Sequence, residues 1–139
     1  MLGSSGILVF LHVAANVVWI GSILAVAVIL SSPTPDPKSR GTLATRVYMK
    51  LAVPAFVVSF VAGGSRLAMD TTYYFQQTKF MHGKLFLALV VIGLHHAIGG
   101  RAKKLAAGTV TDGGNSGVLG IGLLVAAVGA VFFAILKPF

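Results

Sequence analysis

Six side chains in the long apolar stretches of this sequence could do chemistry: His12, Arg66, His82, Lys84, His95 and His96. An ionisable group in hydrocarbon costs about 3 kcal/mol on insertion scales, so it persists mainly where it is paired or functional. Lysine is costlier to bury than neutral histidine, which makes Lys84 the strongest single departure. An imidazole can ligate a metal or move a proton. An ammonium or guanidinium can pair with a carboxylate, the guanidinium through two parallel hydrogen bonds. Other chemistry is excluded. There is no cysteine, hence no disulfide, thiolate metal site or iron–sulfur cluster. The acids are Asp36, Asp70 and Asp112, all outside the apolar runs, and there is no glutamate. Paired-carboxylate catalysis and carboxylate proton relays are not expected.

The elements that must carry these groups follow from composition. Of 139 residues, 56% are hydrophobic and 10% charged, and the mean hydropathy is +0.91. A soluble domain has about a quarter of its residues charged. Four apolar runs are each long enough to cross a hydrocarbon layer about 30 Å thick, and only helices satisfy their own backbone there without closing into a barrel. The expected fold is all-α, an integral membrane four-transmembrane-helix bundle in one domain, with helices at about 6–30, 47–69, 79–98 and 118–136. No charged segment precedes the first run, which is too long for a signal-peptide core and reads as a retained helix. Pro33 and Pro35 stop it. Lys38, Arg40 and Arg46 are expected in a short basic loop, Pro54 predicts a kink, and Tyr73, Tyr74 and Phe75 form an expected aromatic belt. The stretch from Gly99 to Gly117 reads as a loop, and Gly120, Gly122, Ala126 and Gly129 as a close helix contact. The net charge of +8 points to topology and anionic lipid rather than nucleic acid. The basic excess around Lys38–Lys50 and Arg101–Lys104 places those connections in the cytoplasm and both termini outside, in a bacterial-type inner membrane crossed several times.

Helical periodicity orders the candidates further. His12, Asn16 and Trp19 share one face of the first helix, offering an imidazole, an amide and an indole donor. The plain alternative is a histidine hydrogen-bonded to a neighbouring helix. In the third helix, Lys84 and His95 share a face and His82 and His96 share another, so only one pair can point squarely inward. The cost of exposing Lys84 to lipid favours the Lys84/His95 face. Depth matters too. His12, His82 and Lys84 lie at a similar level near the outer side, whereas His95 lies about 16 Å deeper than Lys84. A ligand held by His12 would therefore meet His82 or Lys84 before His95. Arg66 either snorkels to lipid phosphates or pairs with an acidic ligand.

These residues resemble a known family. His12 followed by Trp19-Ile20-Gly21 is similar to the first-helix motif of HemJ-type protoporphyrinogen oxidases and the wider CopD-like membrane proteins. Met81-His82-Gly83-Lys84-Leu85 with Gly93-Leu94-His95 resembles their third-helix motif, and Pro54-Ala55 and Lys137-Pro138-Phe139 resemble further recurring marks. Ser22–Leu30 and Gly114-Asn115-Ser116-Gly117 differ from the family pattern. The resemblance implies a haem b in a four-helix bundle, and oxidation of protoporphyrinogen IX to protoporphyrin IX in haem biosynthesis. It carries the family's essential histidine and lysine to His12 and Lys84. On this reading His12 ligates the haem iron, with His82 as candidate second ligand. Asn16, Trp19, Arg66 and His95 are further cofactor-binding candidates. Lys84 is the catalytic candidate, pairing with a porphyrin carboxylate ahead of acting as ligand or base. The implied partners are a porphyrinogen, a quinone or other redox acceptor and the lipid bilayer, and a homo-oligomer is compatible. The alternatives are a CopD-like copper-handling protein and a small accessory subunit of a larger membrane complex. Met1, Met49, Met69 and Met81 do not cluster at ligand spacing, which ranks copper lower.

Overall fold

The computed structural model describes residues 3–33 and 36–138. Helix α1 spans Ser4–Ser31. The second span is built from α2, Pro37–Val47, a π-helical turn at Tyr48–Ala52, and α3, Val53–Ala68. A second π-helical turn, Tyr73–Gln77, leads to α4, Phe80–Ala107, and α5 covers Ser116–Leu136. No strand occurs among the described residues. Four helical stretches, Ser4–Ser31, Pro37–Ala68, Phe80–Ala107 and Ser116–Leu136, are long and apolar enough to cross a membrane.

Local chemistry explains the boundaries. The Asp36 carboxylate caps α2 by accepting from the backbone N–H groups of Lys38 and Ser39, and Pro37 occupies the first helical position, where its missing N–H is not needed. The helix therefore begins at Pro37 rather than at 47. Lys38, Arg40 and Arg46 stand on a helix and not in a loop. The wide turn then absorbs Pro54. The Val53 N–H reaches back to the Tyr48 carbonyl, so the chain stays helical past a residue that cannot donate. At the other end of the bundle, Asp70 accepts from the Tyr73 N–H, and the Thr78 hydroxyl donates to the carbonyls of Tyr73 and Tyr74.

Helix α4 also runs further than its hydropathy predicts. It continues through Gly99-Gly100-Arg101 to Ala107 and ends at Gly108, whose φ is +75°. The expected loop after 98 is thus confined to the short segment before Ser116. The reason is packing against α2. An added Cβ at Gly41 would run into the α4 backbone at Leu105 and Ala106, and one at Gly99 would run into the Tyr48 ring. These two glycines bring α2 and α4 close enough to hold the basic ends of both helices together. Arg101 then pairs with Asp112 at 2.6 Å and donates to the Asp112 carbonyl. With the N–H of Gly114, the guanidinium holds the exposed Asp112 carboxyl below its ordinary range.

The core is apolar and centred on α1: Ile23, Val26, Leu30, Ile98, Leu105 and Leu123 are buried. The outward surfaces carry Phe10, Val17, Val28, Phe60, Phe86, Leu89, Ile121, Val125 and Ile135, all exposed. Helix α4 packs on α5 and α2, and α3 packs on α1, but α3 and α4 barely touch. The second span leans on α4 through α2 and parts from it along α3.

Candidate functional site

Helices α1 and α3 position His12. Its Nδ1 lies 2.8 Å from the Ser59 carbonyl oxygen. A carbonyl only accepts, so Nδ1 carries the proton and Nε2 holds a lone pair. The Asn16 amide N–H donates to Nε2 at 3.1 Å, and the Ser59 hydroxyl donates to the Asn16 carbonyl at 2.8 Å. This closed network fixes the tautomer and the plane of the ring. The imidazole fits because position 63 is glycine: a Cβ there would sit 2.7 Å from both Cε1 and Nδ1 of His12. Ser59, Gly63 and Arg66 fall on one face of α3 by their spacing.

The cations complete the outer layer. Lys84 is half-buried on α4, close enough for its charge to act on His12. Arg66 is half-buried, its guanidinium 5.4 Å from the centre of the Tyr74 ring, and its buried Nε has no hydrogen-bond partner. The sole ion pair among the described residues is Arg101–Asp112, at the opposite end. Asp70, the acid nearest in sequence to Arg66, is exposed and caps the Tyr73 N–H. Lys84 and Arg66 are thus held in a largely apolar bundle without a carboxylate partner among the described residues.

Trp19 does not join this layer. Its indole N–H donates to Nδ1 of His95 at 3.1 Å, in a second, deeper polar layer. His95 is 0% exposed, with Tyr48, Phe56 and His96 ring centres within 5.2 Å of its own. The shared face of α1 therefore serves two sites, His12 and Asn16 in one and Trp19 in the other. His95 lies inward on α4 and His82 and His96 are exposed. His82 meets only the edge of Phe75 among the aromatic contacts, ring centres 6.0 Å apart. By its spacing it stands on the face of α4 away from Lys84.

Periodicity of α1 and α4 alone did not single out Ser59, Gly63, Tyr48 or Phe56. The signal for the first two was present as the small and polar stripe Ser59, Gly63, Arg66 in an otherwise aliphatic helix. Tyr48 and Phe56 carry no such mark. Among the described residues no three His, Cys, Asp or Glu side chains gather to hold a bare metal ion. No protein-family model, curated protein or solved structure matches the chain.

Proposed function

We propose that the chain is a multi-pass membrane protein that binds haem b through His12 and oxidises protoporphyrinogen IX to protoporphyrin IX. The observation that carries this reading is the hydrogen bond from His12 Nδ1 to the Ser59 carbonyl. A metal-ligating histidine characteristically donates its other ring N–H to a backbone carbonyl or carboxylate, which fixes the ring and leaves a lone pair on the ligating nitrogen. His12 has that arrangement. His95 has the reverse one, because the Trp19 N–H occupies its Nδ1 and a neutral ring must then keep its proton on Nε2.

The charge pattern supports a ligand with carboxylates. Two half-buried cations without counter-ions are costly in a low-dielectric interior, and a bound dianion offsets that cost. Arg66, with its unpartnered Nε, and Lys84 hold the carboxylates of the tetrapyrrole. Bound haem would supply one-electron redox chemistry. Asn16 releases Nε2 of His12 when the site fills, keeping its bond from Ser59.

The topology is part of the same reading. Lys38, Arg40, Arg46, Lys50, Arg101, Lys103 and Lys104 gather at one end of the bundle, where α2 packs against the last turns of α4. The positive-inside rule assigns that end to the cytoplasm and both termini to the outside of a bacterial-type inner membrane. The six electrons removed pass to a quinone or other redox acceptor, so the test is porphyrinogen oxidation by protein in detergent with a quinone added as acceptor, followed by porphyrin fluorescence. Wild type turns over and Lys84→Ala does not. Equal rates for the two above the uncatalysed rate would remove Lys84 from the mechanism, and no rate above it for wild type would remove the activity.

A further inference from the structure

The cations at the basic end of the bundle take no part in the oxidation described above. Two acids stand at that end, and both are engaged. Asp36 caps α2, and Asp112 pairs with Arg101. Arg46, Lys50, Lys103 and Lys104 are exposed and form no ion pair among the described residues. Lys103 differs from the others in what it meets. Its ammonium stands 5.5 Å from the centre of the Tyr48 ring, across the seam between α4 and the second span. That ring is buried against Gly99 of α4, and its hydroxyl lies 3.5 Å from Nδ1 of His96. Lys103 and His96 are seven residues apart and share one face of α4. Both are exposed on that face, with the phenol between them.

Height in the bilayer decides what the seam can hold. Counted from Phe80, about twenty residues of α4 fill a hydrocarbon layer about 30 Å thick and reach Gly99. Lys103 then stands about 6 Å outside the hydrocarbon and His96 about 5 Å inside it. The exposed imidazole faces acyl chains, where an unmatched polar group is costly. A phenol donating to Nδ1 leaves the ring proton on Nε2, and that nitrogen has no partner among the described residues. A phospholipid offers a counterpart to each group. Its phosphate lies in the interfacial layer at the height of Lys103, and its ester carbonyls lie beneath, towards His96. The charge selects the headgroup. Four unpaired cations favour a net negative lipid over a zwitterionic one, whose own cation would meet them.

We infer that the seam between α4 and the second span is a binding site for one anionic phospholipid, its phosphate on Lys103 and an ester carbonyl on His96. Tyr48 is the positioning residue, orienting the imidazole with its hydroxyl and carrying the ammonium on its ring face. The inference rests on the membrane reading and not on haem at His12, so each can fail separately.

The delipidated full chain in detergent is titrated with dioleoyl phosphatidylglycerol, and bound lipids are counted by native mass spectrometry. One molecule binds wild type ahead of the rest, and more tightly than phosphatidylcholine. Lys103→Gln weakens that first molecule by about tenfold, the effect of one charge-assisted hydrogen bond. Lys103→Arg, which keeps the charge, retains it. Lys38→Gln removes the same charge from α2, about 15 Å along the helix from Tyr48, and leaves the first molecule in place. Wild type prefers the ester-linked lipid to its ether-linked analogue, and His96→Leu removes the preference. Equal weakening by Lys103→Gln and Lys38→Gln would mean a diffuse attraction to the whole basic end and overturns the proposal. So does equal affinity for phosphatidylcholine, the lack of an ester preference in wild type, or displacement of the lipid by an equal concentration of inorganic phosphate.

Discussion

The indole N–H of Trp19 donates to Nδ1 of His95, and that bond divides the histidines of the bundle by the work each can do. It takes up the Nδ1 lone pair of His95 and leaves its Nε2–H as a donor. In His12 the Ser59 carbonyl takes the Nδ1–H, and the Nε2 lone pair accepts from the Asn16 amide. One imidazole is prepared to accept a metal and the other to donate a hydrogen bond, on different layers of the same helix, α1.

Gly63→Ala tests how tightly the first of these is set. The new methyl would lie 2.7 Å from the His12 ring, and with Ser59 and Asn16 holding that ring the imidazole cannot yield without losing a bond. Overpacking of this kind costs about 1–3 kcal/mol. The expected outcome is a lower melting temperature together with loss of any haem absorbance. Gly64→Ala, where an added Cβ meets nothing within 4 Å, changes neither.

Lys84 separates stability from binding. As a half-buried cation without an acid partner among the described residues it burdens the fold, so Lys84→Met is expected to raise thermal stability in detergent. The same change is expected to weaken the binding of a porphyrin with free carboxylates by about tenfold or more, the effect of losing one charge-assisted hydrogen bond. It leaves binding of the dimethyl ester unaltered. Fluorescence titration with the two porphyrins reads both effects.

Gly99 and Gly41 predict different kinds of damage. A Cβ at Gly99 meets the Tyr48 side chain and one at Gly41 meets the α4 backbone. Gly99→Ala is expected to destabilise by about 1–3 kcal/mol and to recover much of that loss with Tyr48→Leu. Gly41→Ala has no side chain to trim and is not recovered by any single change on α4. Melting curves of the two single variants and the Gly99→Ala/Tyr48→Leu double variant decide this.

The basic end of the bundle carries a pH dependence with a definite sign. The carboxyl of Asp112 is held below its ordinary range, chiefly by the Gly114 N–H and then by Arg101. A depressed carboxyl contributes stability above its unfolded pKa and loses it as pH falls through the folded pKa. Stability is therefore expected to drop on acidification below the ordinary carboxylate range. Asp112→Asn flattens that limb of the profile, and because the carboxylate is exposed, added salt weakens the Arg101 part of the effect.

Much of this architecture was legible in the residues. Four long apolar runs, each with few charges, can be little else than helices, and eleven-residue spacing placed Lys84 and His95 on one face of α4. The helix limits at Pro37 and Ala107 were not legible from hydropathy, because a helix does not end where its residues become basic. The Asp36 cap and the fit of Gly41 against Ala106 decide those limits, and the second is a contact between segments distant in sequence. The division of His12 from Trp19 was hidden for the same reason. Periodicity gives the face of a helix but not which neighbour, Ser59 or His95, waits opposite each turn.

The visible spectrum of the protein purified in detergent tests the central claim most directly. The account predicts a Soret band with reduced α and β bands in wild type, the same bands in His95→Gln, and their loss in His12→Ala. A colourless wild type, or bands that survive in His12→Ala and vanish with His95, would contradict it.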